Sequence, residues 1–94
     1  MLRDYEIVYV LKSDLSEEDR VAKIARIHAL ITDNGGEIGK AEEWGKRVFA
    51  YEIKHNKEGY YGLAEFRLDP SAVEQIKDRL NIDEQILRYQ IVAP

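Results

Sequence analysis

The sequence predicts an α+β fold, a four-stranded antiparallel sheet with two helices on one face. Three observations carry that prediction. Stretches rich in β-branched and aromatic residues recur four times, at Tyr5 to Leu11, across Glu37 to Ile53, at Tyr60 to Leu68 and at Leu87 to Ile91. Two segments with helical spacing of apolar residues interrupt them, one after the first stretch and one before the last. The 94 residues contain no linker or low-complexity segment, so a single domain spanning 1–94 is expected.

The elements follow in order. Tyr5 to Leu11 is nearly continuous in apolarity and reads as a central strand. Alternation puts Tyr5, Ile7, Tyr9 and Leu11 on one face, with Glu6, Val8 and Val10 on the other. Ser16 has the chemistry of a helix N-cap, with Glu17, Glu18 and Asp19 where the helix dipole favours acids. Val21, Ile24, Ile27, His28 and Ile31 recur at helical spacing until Gly35-Gly36, which predicts a helix over 17–34. Glu37 to Glu43 alternates weakly. Trp44-Gly45 offers a bend or bulge, and the strand resumes at Arg47 and runs to Ile53. Lys54 to Gly59 reads as a polar turn. Asp69-Pro70 starts the second helix, with Val73, Ile76 and Leu80 inward and Asn81 suited to a left-handed C-terminal position. Leu87 to Ile91 closes with a clean period of two.

The resulting order, β-α-β-β-α-β, resembles the split βαβ, ferredoxin-like arrangement, in which the first and third strands are central. Val8 and Val10 of the first strand, with Tyr61 and Leu63 of the third, then fall on the helix-free face. An apolar surface there marks a partner site.

Composition narrows the function. Apolar content of 45% and charged content of 34% fit a compact soluble protein. With no cysteine, disulfides and thiolate chemistry are excluded. Met1-Leu2-Arg3-Asp4 lacks the apolar run of a signal peptide, and no 18-residue apolar segment occurs, so a cytoplasmic protein without membrane contact is expected. Net charge is −4, but it is uneven. Residues 1–34 carry −2, residues 35–57 carry +1 and residues 58–94 carry −3. Salt screens charges beyond about 8 Å, so a distant acidic helix weakens a local basic patch little.

The material for catalysis is thin, and no enzyme is expected. Ser13, Ser16 and Ser71 stand at helix starts. His28 falls on the inner stripe of the first helix and His55 in the turn, a poor metal pair without cysteine. The acids at Asp14 and Glu17 to Asp19 lack calcium-loop spacing, and Gly35-Gly36 has no phosphate-loop sequel. No cofactor or metal is implied. An RNA-recognition motif would want a basic residue, then Gly, aromatic, small, aromatic on its third strand; Glu58-Gly59-Tyr60-Tyr61-Gly62 departs at two of those positions. What remains is the stretch from Trp44 to Tyr61, which interleaves Lys46, Arg47, Lys54 and Lys57 with Trp44, Phe49, Tyr51, Tyr60 and Tyr61. Two readings fit it: an edge strand guarded by charge, or a surface that meets nucleic acid.

Trp44-Gly45-Lys46-Arg47, Ala50-Tyr51, Ile53-Lys54 and Gly59-Tyr60-Tyr61 resemble the signature of the family of the sixth protein of the bacterial small ribosomal subunit. Arg3 to Val8 and Arg88 to Val92 are similar too, so the likeness spans the chain. The resemblance implies a ferredoxin-like fold and a non-enzymatic role. It further implies binding to the central domain of small-subunit ribosomal RNA as a heterodimer with the eighteenth small-subunit protein, with no DNA partner. A basic partner would supply phosphate neutralisation that an acidic chain lacks. Arg3, Arg47, Lys54 and Arg88 match basic positions of the family pattern and are the candidates for RNA or partner contact; Lys46 and Lys57 join them on local charge. Trp44 is expected to pack against the hairpin. Glu52 stands where the family commonly has Pro, and a frequent C-terminal extension has no counterpart here. Two other classes on this fold are a small-ligand regulatory module and a hydrolase of acylphosphatase type; for the latter, Lys12-Ser13-Asp14-Leu15 replaces the required anion loop.

Overall fold

The computed structural model describes residues 1–94. The chain runs β1 (Arg3–Lys12), α1 (Glu17–Asp33), β2 (Glu37–Ile53), β3 (Asn56–Leu68), a 3-10 turn (Pro70–Ala72), α2 (Val73–Asn81) and β4 (Ile86–Val92). The sheet order is β2-β3-β1-β4, with every neighbouring pair antiparallel. β1 and β3 are therefore central, as the split βαβ order requires, and β2 and β4 form the edges.

Alternation in β1 decides where the core sits. Ile7, Tyr9 and Leu11 are buried with Ala64, Phe66 and Leu68 of β3 and Ile86 of β4. Against them pack Ile27 and Ile31 of α1 and Ile76 and Leu80 of α2, so both helices cover this one face. At about 1.5–3 kcal/mol for each large side chain buried, these residues supply most of the drive to fold.

α1 begins as its sequence dictates. Ser16 Oγ accepts the Asp19 N–H at 3.1 Å. Its inward stripe differs from the expected one, because Val21 is 54% exposed. At 100° per residue Arg20, not Val21, lines up with Ile24, Ile27 and Ile31. The Arg20 guanidinium sits over the Tyr60 ring, 4.5 Å from its centroid, so the long side chain fills the first inward slot. The helix ends at Asn34, whose amide donates to Leu30 O at 2.7 Å, before Gly35 turns left-handed.

Asp69 caps as expected, accepting from the Ser71 N–H at 2.9 Å, but the turn it starts is 3-10 and α2 proper begins at Val73. Asn81 stays helical rather than left-handed. Its side chain has another job, accepting from the Tyr89 hydroxyl at 2.7 Å and so tying α2 to β4.

β2 is a single strand of 17 residues rather than a weak segment followed by a restart. It keeps pace with the 13-residue β3 only by carrying surplus residues, and its register with β3 shifts between Ile38 and Ala41, between Glu43 and Gly45, and between Val48 and Ile53. Gly45, at φ +86°, makes the second shift possible. The polar turn shrinks to Lys54-His55, both left-handed at φ 48° and 65°. That is the backbone of a tight two-residue hairpin whose twist matches its strands. Lys57 and Glu58 therefore belong to β3, not to the turn.

Candidate interaction face

Cross-strand partners share a face, so the registers sort every strand residue into rows. On the helix-free side the first row is Arg47, Gly59 and Lys12. Next come Gly45, Tyr61, Val10 and Arg88, and then Glu42, Leu63, Val8 and Gln90. A fourth row holds Glu65, Glu6 and Val92, and a fifth Glu37, Arg67 and Asp4. From Lys12 to Asp4 the rows span about 27 Å at 3.3–3.4 Å per residue. The face is thus graded: basic at one end, apolar in the middle, acidic at the other.

The middle is partly covered by the protein itself. Val10 is only 4% and Leu63 only 9% exposed, while Val8 and Tyr61 are half-buried. Phe49 provides part of the cover. A Cβ placed on Gly59 would meet Val10 Cγ1 at 2.5 Å and Phe49 Cζ at 2.7 Å, so the Phe49 ring rests on the bare glycine. The same ring meets Tyr61 edge-on, 6.2 Å between centroids at 63°. Of the four apolar candidates, Val8 and Tyr61 remain open to a partner.

Trp44 is 41% exposed rather than packed down. Its indole N–H donates to Glu42 Oε2 at 3.0 Å, and Lys40 pairs with the other oxygen of the same carboxylate at 3.0 Å. The indole hydrogen bond, followed by Lys40, holds the Glu42 carboxyl below its ordinary range. Because Glu42 stands opposite Leu63, the indole lies on the helix-free side, beside the apolar rows.

The basic candidates divide. Arg47 and Arg88 lie on the helix-free side, and Lys57 shares the parity of Gly59 and is exposed. Lys46 does not join its neighbour. It stands opposite Tyr60 on the helix side, because adjacent strand residues point to opposite faces. Arg3, opposite the core residue Leu68, is also on the helix side and at the far end of β1. Lys54, in the turn, lines one cavity together with Leu87 and Arg88, so the hairpin end reaches across to β4. None of Lys12, Arg47, Lys54, Lys57 and Arg88 has a carboxylate within 4 Å, unlike Lys23 and Lys40, which are paired. Lys12 was missing from the sequence-derived set; its parity with Val8 and Val10 would have revealed it.

Behind the face a clamp fixes β2. The Tyr60 hydroxyl donates to Glu43 Oε1 at 2.7 Å, and Arg20 approaches the same oxygen at 3.8 Å from α1. The hydrogen bond to Glu43 raises the Tyr60 pKa. Beneath it, burial first and Glu43 second push the Tyr9 hydroxyl up to about 12. These groups stay uncharged as acids at neutral pH, which suits a structural joint.

Comparison with known proteins decides the family. Residues 4–93 match the family model described as Ribosomal protein S6. The chain belongs to the ribosomal protein S6 family. The small ribosomal subunit protein bS6 of Thermoanaerobacter pseudethanolicus is 44% identical over 91 residues, covering 97% of this chain and 96% of its own. That of Moorella thermoacetica is 38% identical over 90 residues, covering 96% and 92%. The crystal structure of 30S ribosomal protein S6 from Thermotoga maritima superposes with a TM-score of 0.94 at 30% identity, covering all of this chain and 89% of that one. This is a family of structural ribosomal proteins, not of enzymes, and its place is the cytoplasmic ribosome. No helix here is long and apolar enough to cross a membrane.

Proposed function

We propose that this S6-family chain binds the central domain of small-subunit ribosomal RNA as a heterodimer with the eighteenth small-subunit protein. The grading of the helix-free face is the observation that carries this reading. Its basic end presents Lys12 and Arg47 in one row with Arg88, Lys54 and Lys57 nearby, all without acidic partners, to phosphates. Its other end places Glu6 directly opposite Glu65, a like-charge pair that costs stability unless cations cover it; Lys40 of β2 approaches Glu65, while Glu6 has no ion-pair partner. A basic protein seated over Val8, Tyr61, Trp44 and the acidic rows would supply one. That seat leaves the cations free for RNA, and the two proteins together form one phosphate-binding surface.

The test is binding to a central-domain RNA fragment with and without the partner, across a salt series. Alone, the chain binds weakly; with the partner, binding is tight and salt-sensitive. Arg47→Ala with Lys54→Ala lowers the salt slope by roughly 1–2, with folding changed by no more than about 1 kcal/mol. RNA affinity indifferent to the partner, or an unchanged slope in the double variant, refutes the arrangement.

A further inference from the structure

We infer that the outer edge of β4 accepts an extended, acidic peptide segment as a fifth strand. The inference goes beyond the RNA reading, because it concerns the outer edge of β4 and Lys77 of α2, although it shares Lys54 and Arg88 with the basic end of the helix-free face. β4 ends the strand order, so the backbone groups on its outer side have no strand partner. A groove of about 490 Å³ runs along this edge, lined by Ile86 to Ile91, by the end of α2 and by the hairpin turn. Leu80, Ile86 and Leu87 are the buried apolar side chains that line it.

Three cations stand around that strip, each from a different element: Lys54 of the turn, Lys77 of α2 and Arg88 of β4. No carboxylate lines the groove, and none of the three cations has one within 4 Å. Glu74 and Asp78 of α2 act on the Tyr89 hydroxyl from outside it. In a chain of net charge −4, three unpaired cations converging on one apolar edge define the chemistry of the occupant. Strand addition draws affinity from the backbone and specificity from side chains at alternate positions. An extended peptide matches both the donors and the acceptors of β4 at strand spacing. A second copy of this chain is disfavoured, since pairing β4 with β4 would bring two sets of these cations together.

The experiment uses the full chain, isotope-labelled, and a capped peptide matching β4 in length that alternates Val with Glu. Its controls are the same peptide with Lys in place of Glu, and oligouridylate. The acidic peptide should shift the amides of residues 86–92 and slow their hydrogen exchange. Lys77→Glu should weaken it about tenfold and improve the Lys peptide. Lys77→Gln should fall between, and both variants should keep RNA binding with the partner, which separates this site from the face. The proposal is overturned by equal binding of both peptides or by no binding of either, which would leave the cations as a guard of the edge. It is equally overturned if oligouridylate, beyond the contacts at Lys54 and Arg88 that the RNA reading expects, slows hydrogen exchange along all of residues 86–92 as the peptide does, or if addition of peptide merely causes the chain to self-associate.

Discussion

Replacing Gly59 by Ala should destabilise the protein by about 1–2 kcal/mol, and the structure says through which contact. The new methyl would lie 2.5 Å from Val10 Cγ1, 2.7 Å from Phe49 Cζ and 3.2 Å from Leu11 O. Carbon atoms rest at about 3.5–4.0 Å, so at least one neighbour must retreat by about 1 Å. Val10, 4% exposed on a central strand, cannot. Phe49, half-buried on an edge strand, can swing outward, losing its edge contact with Tyr61. Overpacking of this kind costs about 1–3 kcal/mol. Replacing a strand glycine returns about 0.5–1 kcal/mol, because Ala restricts the unfolded chain more. The net loss corresponds to a fall in melting temperature of roughly 5–15 °C. Urea and thermal unfolding measure it directly. Shortening the ring by Phe49→Leu should relieve the clash, so Gly59→Ala in that background should cost less by at least about 0.5 kcal/mol. A neutral Gly59→Ala, or strict additivity of the two changes, would show that Phe49 does not rest on Gly59.

Three further outcomes follow from local geometry. Gly45→Ala should cost about 1 kcal/mol from backbone strain alone, since φ is +86° and a Cβ there meets nothing within 4 Å; Gly45→Asn should cost less, and equal losses in urea midpoints would contradict this. Lys54→Asn with His55→Gly places residues suited to left-handed backbone in the turn and should stabilise by about 1 kcal/mol, with no gain counting against it. Burial lowers the His28 pKa below its ordinary 6.5, so the unfolded chain holds that proton more tightly. The contribution is therefore complete above 6.5 and is lost as pH falls below it. Between about pH 7.5 and about pH 5.5 the wild type should lose more stability than His28→Gln, and parallel losses would refute it.

How much of this was legible beforehand varied with the kind of signal. The period of two in Tyr5 to Leu11 assigned both faces of the central strand, and the registers agree with it residue by residue. The Ser16 cap and the role of Gly45 were readable because each rests on local chemistry. Val21 misled because apolarity outranked geometry. The inward position belonged to Arg20, whose stem buries although its head is charged. Sequence adjacency puts the basic pair Lys46-Arg47 in one patch, although the strand's own alternation sends the two apart. Polarity alone extends the turn to Lys57; two left-handed residues make it shorter than composition suggests. The cover that Phe49 gives Val10 was beyond reach. It depends on β2 having more residues than β3 between Val48 and Ile53, a mismatch visible only once the strands are paired.

The register shift at Trp44 has a genetic meaning as well as a geometric one. Elsewhere in a paired strand, losing one residue sends every following side chain to the wrong face. Here β2 carries one residue more than β3 between Glu43 and Gly45. A deletion at that point would consume the surplus and leave Glu42, Lys46 and Arg47 facing as they do now. The shift between Ile38 and Ala41 holds a second such surplus. β2 can therefore absorb in-frame losses of single codons, and its sequence can drift in length while the arrangement of charges along the strand stays in phase.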